Sequence, residues 1–157
     1  MKTLETKQSK DLFSSIRNIV VAVDLKDHSE ATTQYAAELA KCFNANLYVV
    51  HVFSPISFHT VATEKTYGLI HEECARLRRK LDQLTDGVRE AVPQSEAILL
   101  LGDPVAEITA MARDVGADLI IAASHHPAFL ARLFNLDKAP NIMHHAPCPV
   151  LVYHEQH

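Results

Sequence analysis

Five short apolar runs recur along this chain, each too uniformly apolar to keep one face in water. The first is Ile19-Val20-Val21-Ala22-Val23, stopped by Asp24. The others are Leu47-Tyr48-Val49-Val50-His51-Val52, Ala97-Ile98-Leu99-Leu100-Leu101, Asp118-Leu119-Ile120-Ile121-Ala122-Ala123 and Pro149-Val150-Leu151-Val152-Tyr153. A half-wet strand alternates apolar and polar residues. A continuous run of this kind has to be covered on both faces, as in a parallel sheet sandwiched between helices.

The segments between the runs supply those helices. Ala31, Tyr35, Ala36, Leu39, Ala40 and Phe43 recur at helical spacing, which predicts a helix from Ser29 to Cys42 with Asp27 or Ser29 as its N-cap. Ile70, Cys74, Leu77, Leu81, Leu84 and Val88 draw the stripe of the longest helix, which Pro93 is expected to end. Arg76 to Lys80 read as its solvated face. Asp103-Pro104 opens a helix with Ile108, Met111, Ala112 and Val115 inward and Gly116 at its end. Asp137 to His145 reads as a short last helix, and Ser54 to Glu64 and Ser124 to Leu136 as loops. The order β-α-β-α-β-α-β-α-β predicts an α/β fold, a five-stranded parallel doubly wound sheet with right-handed crossovers and helices on both faces.

At 157 residues the chain holds one domain, 16–157, preceded by an extension over 1–15 with no apolar period, read as flexible. Hydrophobic residues at 48% exclude bulk disorder, and a net charge of −4 argues against nucleic acid as a partner. No run approaches the roughly 18–20 apolar residues that cross a bilayer, and no apolar leader follows the N-terminus, so no membrane association and a cytoplasmic location are expected. Cys42, Cys74 and Cys148 are odd in number and widely spaced, which fits neither a disulfide framework nor a C-x-x-C site. Cys42 and Cys74 read as core residues. Cys148, between two prolines, is a candidate reactive thiol.

In a doubly wound sheet, ligands sit outside the carboxyl ends of the strands at the topological switch point. That singles out Asp24 to His28, Val52 to Ser54, Leu101 to Pro104 and the chain from Ser124 onward. Asp24 and Asp103 read either as caps or as a carboxylate pair flanking the crevice. Ser124 beside His125 and His126 forms no triad by adjacency alone, and no G-x-S-x-G elbow is present, so no catalytic residue is assigned. The His144-His145 pair points about 100° apart on a helix. His145-x-x-Cys148 has no second ligand pair, so no metal site is expected. His145 reads as a residue closing the last helical turn.

These residues are similar to the universal stress protein family. The resemblance runs from the strand ending in Asp24, through His51-Val52 and Gly102-Asp103-Pro104, to Asp118-Leu119-Ile120-Ile121 and the closing His145-Ala146-Pro147-Cys148-Pro149-Val150-Leu151-Val152. It covers Ile16 to Tyr153 and implies a Rossmann-like domain of the adenine nucleotide alpha hydrolase type, dimeric and active in stress survival without a defined reaction. One branch of the family binds ATP through a G-x2-G-x9-G-[S/T] loop after the fourth strand. The other, typified by universal stress protein A, lacks it.

Aligned without gaps, the loop's glycines fall on Ala123, His126 and Leu136 and its hydroxyl on Asp137, so the phosphate loop is degenerate. Glycines there reach φ > 0 and bring backbone N–H groups onto phosphate oxygens. A side chain forced to φ > 0 costs about 1–2 kcal/mol. A carboxylate facing phosphate at about 4 Å costs about 4 kcal/mol at an effective dielectric near 20. His125-His126-Pro127-Ala128-Phe129 further resembles the His-His-x-x-Phe loop of the branch without ATP. The resemblance therefore implies a non-catalytic stress-response protein without a cofactor, acting through protein partners still to be identified. The alternative is an ATP or adenine-nucleotide sensor that uses Asp24, Val52, Gly102 and Ser124.

The last strand has no helix after it to cover its edge. Pairing two copies of Val150, Leu151, Val152 and Tyr153 across a two-fold axis would hide both edges, so a homodimer is expected, in agreement with the family habit.

Overall fold

The computed structural model describes residues 15–55, 64–123 and 142–153. The expected extension over 1–15 lies outside these except for Ser15, and so do the loop from Ser124 and the first residues of the helix expected from Asp137. The elements are β1 (Asn18–Ala22), α1 (Ser29–Phe43), β2 (Asn46–Phe53), α2 (Glu64–Asp86), β3 (Ser95–Leu101), α3 (Pro104–Asp114), β4 (Leu119–Ala123), α4 (Ile142–His145) and β5 (Val150–Tyr153). The strands form one sheet in the order β3-β2-β1-β4-β5, with every pair parallel. The predicted five-stranded parallel α/β fold is the fold observed.

Strand alternation divides the core into two layers. Ile19, Val21, Val23, Leu47, Val49 and Ile121 face α1 and α2, where Ala36, Ala37, Ala40 and Leu81 meet them. Val20, Ala22, Val50, Ile120 and Ala122 face α3 and α4, against Val105, Ile108, Ala112 and Ile142. The three alanines of α1 let that helix lie close to β1, whose residues from Ile19 on are buried on both faces. Full burial of such aliphatic side chains contributes about 1.5–3 kcal/mol each. The near-continuous apolar character of the central strands β1 and β4 is thus a direct consequence of two-sided coverage, whereas the edge strands β3 and β5, apolar in sequence too, stay partly exposed.

Helix termini follow local chemistry, with two departures from the sequence reading. Asp103 caps α3, its Oδ1 accepting the Ala106 N–H at 3.0 Å, with Pro104 in the first turn. Asn44 ends α1 in the left-handed conformation (φ 53°). The N-cap of α1, however, is His28, without a side-chain cap bond. Ser29 is drawn inside the helix because its hydroxyl is committed to Asp24. The second departure is at α2, which ends at Asp86, well before Pro93. Beyond it Val88 and Val92 both turn into the core, and the Val88 N–H tightens onto the Thr85 carbonyl at 3.1 Å.

Two corrections concern cysteines. Cys42 is exposed, because the buried face of α1 runs through Thr32, Thr33, Ala36, Ala37 and Ala40 and Cys42 lies off it. Cys74 is only partly buried. Among the described residues, no helix is long and apolar enough to cross a membrane.

Candidate functional site at the strand carboxyl ends

The sheet reverses direction of growth between β1 and β4, so its crevice opens beyond the carboxyl ends of those strands. Asp24 lies two residues beyond the end of β1. Its Oδ1 accepts the Lys26 N–H at 3.0 Å and the Ser29 hydroxyl at 3.1 Å. Ser29 N–H in turn donates to the Lys26 carbonyl at 3.0 Å. These bonds wrap the turn around the carboxylate and place Leu25, a non-glycine residue, at φ 59°. Leu25 packs against the α1/α2 core layer, which offsets a backbone cost of about 1–2 kcal/mol.

Val52 lies near the end of β2 and faces the α3/α4 layer. Its backbone is level with Asp24, since Ala22 pairs with Val50 and both strands advance two residues. Gly102 follows β3, donates its N–H to the Phe53 carbonyl at 3.0 Å, and has φ 144°. A Cβ at Gly102 would stand 2.7 Å from Glu107 Oε1, so the glycine lets the first turn of α3 fold over the strand end. The structure therefore brings Asp24, Val52 and Gly102 to the ends of three neighbouring strands. Asp24 and Asp103 each serve as a turn or helix cap, which is the simpler of the two readings left open.

Ala123, the first of the degenerate loop positions, is still a strand residue, in register with Tyr153. Ser124, His126, Leu136 and Asp137 lie outside the described residues, as does His125. On the opposite side of the sheet from Val52, His51 Nδ1 lies 2.8 Å from the Val23 carbonyl. A carbonyl only accepts, so Nδ1 carries the proton and the neutral ring leaves Nε2 as an acceptor. Burial lowers the His51 pKa from its ordinary 6.5, an effect opposed by the bond to Val23 and by the charges of Asp24 and Glu73. In the sequence, His51 stands out only as part of the His51-Val52 end of the second strand. Its polar ring inside an otherwise apolar run is the signal the sequence offers.

At the far end of the domain the Cys148 thiol is pushed up to about 11, first by burial and then by the charge of Asp118. It is protonated at neutral pH, which removes the candidate reactive thiol. The His145 carbonyl, at the end of α4, is met by Arg113 Nη2 at 2.8 Å, so an arginine from α3 closes this turn at the backbone. Among the described residues, no cluster of three or more His, Cys, Asp or Glu side chains is arranged to hold a metal ion.

The order β3-β2-β1-β4-β5 with its crevice at the β1/β4 switch defines a doubly wound α/β domain. The model of the universal stress protein family matches residues 15–154, and the chain belongs to that family. It is 29% identical over 138 residues to a universal stress protein of Thermus aquaticus, covering 87% of this chain and 97% of the relative. It is 31% identical over 144 residues to universal stress protein A homolog 1 of Coxiella burnetii, covering 86% and 94%. Among solved structures, a universal stress protein in complex with cAMP superposes with a TM-score of 0.65 at 22% identity, covering 88% of this chain and 97% of that one.

Proposed function

We propose that this chain is a non-catalytic, homodimeric stress-response protein of the cytoplasm that works without bound ATP, in the manner of the universal stress protein A branch. The observation that carries the reading is the content of the phosphate loop. In the gap-free match to the family's loop pattern, Ala123, His126, Leu136 and Asp137 fall on the three glycines and the hydroxyl. Dimerisation rests on β5. It is an edge strand, and Val152 leaves 47% of its surface exposed there. Light scattering at micromolar concentration should give twice the chain mass, and a monomer would refute the dimer.

The second reading is an adenine-nucleotide sensor. Asp24, Val52 and Gly102 lie at the carboxyl ends of β1, β2 and β3, and one structural relative was solved with cAMP. Thermal-shift titration of nucleotide-stripped protein with Mg-ATP, ADP, AMP and cAMP separates the two. A ligand that binds the native state at 100 times its Kd raises stability by about 2.7 kcal/mol. No shift up to millimolar nucleotide is the expected result. Saturation at micromolar levels would establish the sensor instead. Under the first reading, the triple change His126→Gly, Leu136→Gly and Asp137→Ser should create or strengthen nucleotide binding.

A further inference from the structure

Helix α2 is buried only in its C-terminal half, at Leu77, Leu81 and Thr85. From Glu64 to Arg76 no residue is buried, and Leu69 exposes 51% of its surface. On the side turned away from Leu77, Leu81 and Thr85, the helix carries Leu69, Glu72, Glu73, Arg76 and Arg79. At about 100° per residue these fall within a stripe about 120° wide. Together with Ala75 they line an open groove of about 480 Å³. The helix packs on β2 and β3, at the edge of the sheet opposite β5.

Charge along this stripe is ordered. The carboxylates Glu72 and Glu73 come first, and the guanidinium groups Arg76 and Arg79 come after. Arg78 and Asp82, which pair with each other at 3.2 Å, lie off the stripe. A parallel copy of the helix would set carboxylate against carboxylate. An antiparallel copy sets the acidic half of each stripe against the basic half of the other. With the two-fold axis at residue 74, Glu72 stands opposite the partner's Arg76 and Leu69 opposite the partner's Arg79. Leu69 then covers the aliphatic stem of that arginine. Arg76 donates to Glu73 of its own chain from Nε at 2.8 Å and from Nη2. Its Nη1 offers two more N–H groups, so a bond to the second copy adds to the existing pair instead of replacing it. The surface is complementary to itself in one orientation, which is what a two-fold contact requires.

We propose that the outer face of α2 is a docking surface for a second copy of this chain, which presents the same face in an antiparallel helix contact. Leu69 supplies the apolar contact, and the four charges fix the orientation. Two helix halves bury less than the roughly 1,200 Å² at which standard interfaces begin, so the contact belongs to the weak, transient class. It lies on the edge of the sheet away from β5 and does not depend on the dimer proposed there. A chain that uses both contacts builds assemblies larger than a dimer.

The test is sedimentation velocity of the full chain from about 5 to 500 µM, the range of weak contacts. The expected result is a rise in mass above that of the micromolar species. Its association constant should be about tenfold lower in about 0.5 M salt than in about 0.05 M. Glu72→Arg with Glu73→Arg makes the charges of the stripe wholly basic, and Arg76→Glu with Arg79→Glu makes them wholly acidic. None of the four side chains is buried, so the fold is kept. Each double variant alone should lose the rise in mass, and an equimolar mixture of the two should regain it. Leu69→Ser, which leaves every charge in place, should weaken the association by about threefold or more. A mass that stays constant over the whole range, reversed variants that associate like the parent, or a mixture that fails to associate would overturn the proposal.

Discussion

The rings of Tyr35 on α1 and Tyr153 on β5 stack with centroids 4.5 Å apart and planes 23° from parallel. The contact joins the first helix to the last strand across 118 residues of sequence, and it braces the sheet edge where dimerisation is proposed. Aromatic pairs contribute about 0.5–1.5 kcal/mol beyond the area they bury. A double-mutant cycle of Tyr35→Ala and Tyr153→Ala, read by denaturant unfolding at one protein concentration, should give a coupling in that range. A coupling near zero would show that the two rings merely lie side by side.

Gly102 carries the backbone at φ 144° and leaves room for the Glu107 carboxylate. Gly102→Ala should destabilise the domain by about 1–3 kcal/mol, the usual cost of a sparsely allowed conformation. Adding Glu107→Ala should recover only part of the loss, since it relieves the collision and leaves the dihedral. Complete recovery would mean that the carboxylate contact is the whole effect.

Stability should fall in mild acid because of His51. Its folded pKa lies below the ordinary 6.5, so between the two values the unfolded chain binds more protons than the folded one. The contribution is complete above pH 6.5 and is lost as pH falls toward the folded value. His51→Gln should flatten this part of the curve in chemical denaturation between pH 7.5 and 5.0. An unchanged slope would remove His51 as its source.

Thiol labelling should discriminate the cysteines. Cys42 is exposed, whereas Cys148 is partly buried with a pKa near 11. At pH 7.5 the thiolate fraction of Cys148 is below about one in a thousand. Mass spectrometry after brief alkylation of the native protein should find Cys42 modified at least tenfold faster. Comparable rates would contradict the environment described for Cys148.

The fold was legible because its rule is written into each strand. All five apolar runs form strands, but burial on both faces holds for the central ones, and the edge strands β3 and β5 stay partly exposed. Asp103-Pro104 and Gly116 announced the ends of α3 through local chemistry alone. The start of α1 was less legible, because Ser29 is a good cap by type yet its hydroxyl is claimed by Asp24 five residues earlier. Cys42 misled for a different reason. An apolar period fixes a stripe but not its width, and the face of α1 that is buried runs through Thr32, Thr33, Ala36, Ala37 and Ala40, leaving Cys42 off it. At the site, the strand-end positions followed from topology, so Asp24, Val52 and Gly102 could be named in advance. His51 could not be assigned a role, since its ring is held by the Val23 carbonyl of the neighbouring strand.

The position of β1 at the centre of the sheet has a consequence for biosynthesis. Asp118 Oδ2 accepts the N–H groups of Arg17 at 2.8 Å and Asn18 at 3.0 Å, so the start of β1 is completed by a residue made about a hundred positions later. While the chain is being synthesised, β1 can pair with β2 early, but its other side stays an open, apolar edge until β4 emerges. Such an edge is a template for pairing with another nascent chain. The hazard for this protein is therefore concentrated in the interval between translation of residue 53 and residue 123, and pausing or truncation within it should yield aggregates rather than a smaller folded domain.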